Sequence, residues 1–243
     1  QKTTYQHPFY DVIYESSLYA VAENNAYLPL GFLCSTDLAS FDFKNNEDRY
    51  EFENLLINAA TGQSFTLWNE ISGSLLNISG DQNVNVTTKN AYGYSRYSAQ
   101  RDGIITYSFT ADRAGLMCLD ISQGKRNEFS VWLNNNHDSR PDERLYTESY
   151  SLPQMLSVCN VKPGDVVEVQ FKCKAGESAR IEVYAAILNE ETFRNAYNIL
   201  SESTLELTSF SNTKIEGSVN CTKSGLLYTS VPQNGSNWKV YVD

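Results

Sequence analysis

No apolar run in the 243-residue chain approaches the roughly 20 residues that a helix needs to cross a bilayer. The best candidate, residues 183–188, is short enough to read as a buried strand. Nor does the chain open on the basic and apolar regions of a signal peptide, since Gln1 leads straight into polar sequence. The expectation is that any leader or membrane anchor lies outside these residues, and that the chain is a piece of a larger protein. Histidine is scarce. His7 and His137 are the only two, and neither sits in a motif, so nucleophile–histidine catalysis has little to draw on. The five cysteines, Cys34, Cys118, Cys159, Cys173 and Cys221, form no CxxC pair, which argues against a structural zinc site. Their odd number does not suggest a disulfide framework, and Cys173, in step with Val167, Val169 and Phe171, reads as a small core residue. Positive charge is also short: 19 Lys and Arg stand against 29 Asp and Glu, a net charge of -10. Nucleic-acid binding needs a basic surface to displace counterions, so no nucleic-acid partner is expected. There is no phosphate-binding glycine loop either; Gly73, Gly80 and Gly103 are isolated turn residues.

What is plentiful is aromatic sequence, with 16 Tyr and 11 Phe, and such rings pack well on a pleated surface. Residues 9–22 read as strand, broken near Glu15-Ser16-Ser17, and 27–32 as a short extended run. Residues 49–60 carry Phe52, Leu55, Leu56 and Ala59 at helical spacing, with Gly62 placed to end the helix. Residues 81–103 are polar and tyrosine-rich and read as a connection between modules. From Gly103 the strand signal is regular. Ile105, Tyr107 and Phe109 alternate with polar residues; 116–121 and 129–133 follow; Lys162-Pro163-Gly164-Asp165 marks a turn before 166–174; Ile181, Val183, Ala185 and Ile187 alternate again. A second helix is expected over 190–200, with Phe193, Tyr197 and Leu200 on one face, then short strands at 205–207, 215–219, 226–231 and 238–242.

This pattern predicts a mainly β fold of antiparallel, jelly-roll-like β-sandwich units, two in number, with two short helices. The expected organisation is a strand and helix region over 1–95 that packs on the second β-unit, a first sandwich unit over 96–190, and a helix with the start of a second, truncated unit over 191–243. An internal repeat supports two units: residues 107–119 resemble 217–229, each a strand, a polar turn with glycine, and a strand opening on leucine. The alternative is that any two hairpins look alike.

No catalytic, cofactor-binding or metal-ligating residue is assigned. The segment Asn134 to Glu143 is rich in oxygen ligands, and a structural Ca2+ would suit it, but without EF-hand spacing a solvated loop is the favoured reading. The 29 acidic residues do not single out a glycosidase pair. Trp68, Trp132 and Trp238 are the candidate glycan-binding residues, because aromatic faces suit the apolar faces of pyranose rings. Trp132 is out of phase with Phe129, Val131 and Leu133 and is expected to face outward; Trp238 is in phase with Val240 and Val242, which favours the core.

Several segments, in order, resemble the YfhO family of bacterial multi-pass membrane proteins. They are Glu23-Asn24 with residues 27–32 (YLPLGF), Phe52-Glu53-Asn54 and Thr61-Gly62, then weakly Lys162-Pro163-Gly164-Asp165, then LELTSF at 205–210, KIEG at 214–217, GLLYTSVP at 225–232 and NWKVYVD at 237–243. The resemblance implies the extracytoplasmic domain of a membrane glycosyltransferase that uses polyprenyl-phosphate sugars on cell-envelope polymers such as lipoteichoic acid. The family's catalytic carboxylate lies in an early loop that is not in this chain, so no catalytic residue carries over. The implied partners are a cell-envelope glycan or polymer and the rest of the membrane protein, and the implied location is the outer face of a bacterial cell membrane. The reading from another class is a secreted or surface carbohydrate-binding or adhesion module with no enzymatic activity.

Overall fold

The computed structural model describes residues 8–44, 48–88, 93–125, 127–134, 154–221, 223–231 and 239–242. The strands and helices run in this order: β1 (Tyr10–Glu15), β2 (Ala20–Asn24), β3 (Gly31–Cys34), α1 (Arg49–Thr61), β4 (Trp68–Glu70), β5 (Leu76–Gly80), β6 (Val84–Thr88), β7 (Tyr94–Ala99) and β8 (Gly103–Thr110). Then come β9 (Gly115–Gln123), β10 (Phe129–Leu133), β11 (Gln154–Val161), β12 (Val166–Cys173), β13 (Ser178–Leu188), α2 (Glu190–Ser201), β14 (Leu205–Phe210), β15 (Ile215–Val219) and β16 (Leu226–Thr229). The chain folds as two units: residues 67–190 with 1–8, and residues 9–66 with 191–243.

The first unit is an antiparallel β-sandwich. One sheet has the order β10-β12-β8-β5; the other runs β11-β9-β13-β7-β6, with β4 paired to β13. Period-two alternation makes the sandwich, because every second side chain of a strand points the same way. Val167, Val169, Phe171 and Cys173 of β12 meet Ile105, Tyr107 and Phe109 of β8, and this face closes on Met117, Leu119, Ile121, Ile181, Val183 and Ile187 of the other sheet. Phe171 is fully buried, its ring 5.2 Å from Phe129 and 5.6 Å from Tyr107.

Residues 81–88 and 93–103 are not a connection between modules but part of the sandwich, and the unit therefore begins before residue 96. β5 pairs with β8, β6 with β7, and β7 with β13. The inward residues of β7 are Ser95, Tyr97 and Ala99, all buried. Their polar atoms are satisfied inside. Ser95 Oγ and the Tyr107 hydroxyl share a hydrogen bond, and that hydroxyl also donates to the Ile181 carbonyl at 3.1 Å. Asn127 Nδ2 donates to the Tyr97 hydroxyl and to the Lys172 carbonyl, each at 2.9 Å. Burial pushes the Tyr97 phenol up to about 12. Gly93, with φ 80°, opens this strand where a Cβ would collide with the Val183 carbonyl, so only glycine fits.

In the second unit the described strands pair two by two: β1 with β2, β14 with β15, and β16 with β3. With the sandwich and the two helices, these antiparallel ribbons make the chain mainly β, as the sequence predicts. The two segments of the repeat share a connection. β8 and β9 belong to different sheets, and so do β15 and β16, so neither pair is a hairpin. Helix α1 forms as its signals require: Asp48 Oδ1 accepts from the Tyr50 and Glu51 amides at 2.9 and 3.1 Å, and Gly62 ends the helix in the left-handed conformation at φ 68°. Cys34, Ala60 and Leu200 join the second unit's core with Leu28, Phe32, Leu38 and Ile57. Residues 239–242, predicted as strand, carry no regular structure, and Val240, Tyr241 and Val242 are exposed. Apolar alternation alone does not make a strand without a partner to take its backbone hydrogen bonds.

None of the five cysteines is disulfide-bonded. Cys34, Cys118 and Cys173 are buried, Cys159 is half-buried and Cys221 is exposed. Burial raises the thiols of Cys34, Cys159 and Cys173 to about 11, which leaves little thiolate near neutral pH. A thiol-exchange reagent applied to the folded chain is therefore expected to titrate one fast-reacting thiol, removed by Cys221→Ser. Rapid reaction of several thiols before denaturation would contradict the burial described.

Candidate functional site

The first sheet of the sandwich turns one face to the core and the other outward. On β10, Phe129 and Val131 are buried, while Ser130 and Trp132 point the opposite way. On β12 the outward residues are Glu168, Gln170 and Lys172; on β8 they are Thr106 and Ser108; on β5 they are Asn77 and Ser79. The strand register lines these up. Trp132 stands opposite Glu168, Glu168 opposite Ser108, and Ser108 opposite Asn77. The adjacent row on the same face is Ser130, Gln170, Thr106 and Ser79.

The result is an indole at the sheet edge continued by two rows of carboxylate, amide and hydroxyl groups. Trp132, Glu168, Ser108, Gln170 and Thr106 are all half-buried, which limits their freedom and holds their polar atoms in place. Ser108 Oγ donates to Glu168 Oε1 at 3.2 Å. Neighbouring strands lie about 4.8 Å apart, so one four-strand row spans about 14 Å. Nothing in this set activates a nucleophile: it offers stacking area and hydrogen-bonding capacity, which is the chemistry of binding rather than bond breaking.

Trp132 lies on the outward side of β10, as its phase predicts, half-buried and with its indole nitrogen covered. Trp68 is not available as a platform. It is 8% exposed and lies in the three-residue β4 opposite Leu188 of β13. Trp238 lies outside the described residues. The oxygen-rich segment 134–143 also lies outside them except for Asn134. There the side chain is engaged within the fold, Nδ2 donating to Asp165 Oδ1 and Oδ1 accepting from the Val166 amide, both at 2.8 Å. Among the described residues no three His, Cys, Asp or Glu side chains converge in a way that could hold a metal. Glu168, Gln170, Ser108 and Asn77 are not singled out by the sequence as site residues. Their only signal is the outward phase of their strands, and that phase does not say which strands become neighbours.

A concavity of about 400 Å3 opens elsewhere on this unit, beside Asn69, Arg113, Gly115, Asn189 and Glu190. Its one guanidinium is held by the preceding residue: Arg113 Nε and Nη2 donate to Asp112 at 3.0 and 2.9 Å, and this bonding lowers the Asp112 carboxyl from its ordinary value. It lacks an aromatic surface, so the Trp132 face is the stronger candidate.

Among solved structures, the chain is similar to TmCBM61, solved in complex with beta-1,4-galactotriose. The identity is 16%, covering 47% of this chain and 90% of that one, with a TM-score of 0.31. It is also similar to CBM86, a low-affinity xylan-binding module from the gut symbiont Roseburia intestinalis, at 11% identity over 52% of this chain and 98% of that one, with a TM-score of 0.36. Among curated proteins none matches. No helix among the described residues is long and apolar enough to cross a membrane. The assignment comes from the whole sequence instead: the family model described as bacterial membrane protein YfhO matches residues 1–243, and the chain belongs to that family.

Proposed function

We propose that the chain is an extracytoplasmic domain of a membrane glycosyltransferase that uses polyprenyl-phosphate sugars, and that it holds the acceptor glycan or polymer on the outer face of the sheet formed by β10, β12, β8 and β5. The observation that carries the binding part of this reading is the aligned row of Trp132, Glu168, Ser108 and Asn77. A pyranose ring laid on the indole would bury its apolar face, while its hydroxyls would reach the carboxylate, hydroxyl and amide groups that follow. A span of about 14 Å accommodates more than one sugar ring. The partner in the cell is then an envelope polymer such as lipoteichoic acid, presented to the rest of the membrane protein.

Charge narrows the contact. With a net charge of -10 and Glu168 in the middle of the row, this face suits the sugar substituents of an envelope polymer better than its phosphates. Titration of the chain against neutral oligosaccharides and against a poly(glycerol phosphate) is expected to give saturable binding to the former and weaker binding to the latter. Silence across all the sugars would remove this reading.

A carbohydrate-binding module without an enzymatic partner would use the same face. The two separate in the full-length protein. Replacing Trp132 is expected to lower sugar transfer if the domain positions an acceptor, and to leave transfer intact if the domain only adheres.

A further inference from the structure

The ribbon of β1 and β2 stands away from any core. Every residue of β1 is exposed, and only Asn24 of β2 is partly covered. Its exposed side chains are nevertheless apolar. Val12 is 47% exposed, Ile13 62%, Tyr14 53%, Tyr19 59% and Leu18 90%. Soluble surfaces seldom gather so many large apolar groups on one element.

The ribbon is built to hold this shape. At its far end Ser16 closes the turn. Its amide donates to the Tyr19 carbonyl at 2.8 Å, and its Oγ accepts from the Leu18 and Tyr19 amides at 3.2 and 3.0 Å. Leu18 is thereby fixed at the tip, in the turn that joins Tyr14 to Tyr19, whose ring centroids are 5.7 Å apart. At the near end, the Asn25 amide donates to the Phe9 carbonyl at 3.0 Å and Asn25 Nδ2 donates to Asp11 Oδ2 at 2.8 Å. Phe9 itself is buried, its ring stacked on Phe193 at 3.9 Å with the Arg194 guanidinium over it. The base is anchored and the tip projects.

Asp11 and Glu23 face each other at the base, and Glu15, opposite Ala20 beside the turn, is the single charged residue in positions 12–22. The consecutive residues Val12, Ile13 and Tyr14 are all exposed, so the apolar surface wraps both faces of the ribbon. A flat protein surface would cover one face only. A lipid layer surrounds the tip on all sides, and tyrosine beside leucine is the composition that favours the boundary between headgroups and acyl chains. The chain belongs to a family of membrane proteins, so a bilayer is within reach of the domain.

We propose that the tip of this ribbon inserts into the interfacial layer of the bilayer, with Leu18, Tyr14 and Tyr19 among the lipids, so that the domain rests on the membrane through this contact. The absence of Lys and Arg from residues 10–24 makes the contact apolar rather than electrostatic. This inference stands independently of glycan binding.

The test uses the whole chain in a Cys221→Ser background, carrying an environment-sensitive dye at Ser17→Cys. It is held by a terminal histidine tag on phosphatidylcholine vesicles doped with nickel-chelating lipid, which removes weak affinity as a variable. The expected result is a several-fold rise in dye fluorescence, quenched by lipids brominated on the acyl chain. The rise should be lost in Leu18→Asp/Tyr19→Asp and absent for a dye at Ser209→Cys. Those substitutions touch exposed side chains, so an unchanged melting temperature checks the fold. A dye that stays in water on the tethered protein would overturn the proposal. So would a rise that appears without vesicles and grows with protein concentration, which would assign the ribbon to a second copy of the chain.

Discussion

Trp132→Ala is expected to weaken glycan binding about tenfold, the usual loss when an aromatic anchor is cut from a binding surface. The side chain points away from the sandwich core, opposite in phase to Phe129 and Val131, so the fold should lose less stability than on removal of a core ring. The two readouts together carry the weight. A loss of binding with an intact thermal transition assigns Trp132 to the ligand, whereas a parallel loss of both would mean that it supports β10. Glu168→Gln is the companion variant. It keeps the shape and removes the charge opposite the indole, so it should weaken neutral sugars only mildly and relieve repulsion of phosphate-bearing polymers.

Phe171→Ala should lower the stability of the sandwich unit by about 3–5 kcal/mol, the range for deleting a fully buried aromatic ring from a packed core. Phe171 of β12 lies opposite Phe129 of β10 on one side and Ile105 of β8 on the other, with the Tyr107 ring edge-on to it. The cavity cannot close without moving β8 or β10. Urea unfolding followed by tryptophan fluorescence is the suitable measurement, since Trp68 and Trp132 both belong to this unit. A loss below about 1 kcal/mol would show that the two sheets do not close on the face described.

Strands β8, β9, β10, β12 and β13 are legible in the sequence because their inward positions are almost purely apolar, as Val167, Val169 and Phe171 illustrate; β11 is not read from the sequence. Both helices are legible for a different reason: residues 49–60 carry Phe52, Leu55, Leu56 and Ala59 at helical spacing with Gly62 as the stop, and 190–200 carry Phe193, Tyr197 and Leu200 on one face. β7 is hidden. It alternates as regularly as β12, but its inward residues are Ser95, Tyr97 and Ala99, and a serine or tyrosine buried through a hydroxyl partner on another strand looks polar in sequence. Trp68 misleads for lack of a pattern, since a three-residue strand has no alternation and its burial depends on pairing with Leu188, far along the chain. The candidate site divides along the same line. The outward phase of Trp132 is local and can be read. That Glu168, Ser108 and Asn77 stand beside it depends on three separate strand registers, none of which is written in any one segment.

The most direct test of the account is a chemical-shift titration of the isotopically labelled chain with a neutral oligosaccharide. The amides of Ser130, Trp132, Glu168, Gln170, Thr106, Ser108 and Asn77, together with the Trp132 indole NH, are predicted to shift along one saturable curve. The buried partners in between, such as Val169 and Tyr107, should move less. Binding that shifts the cleft beside Arg113 and Asn189 and leaves Trp132 unmoved would contradict the assignment of the site.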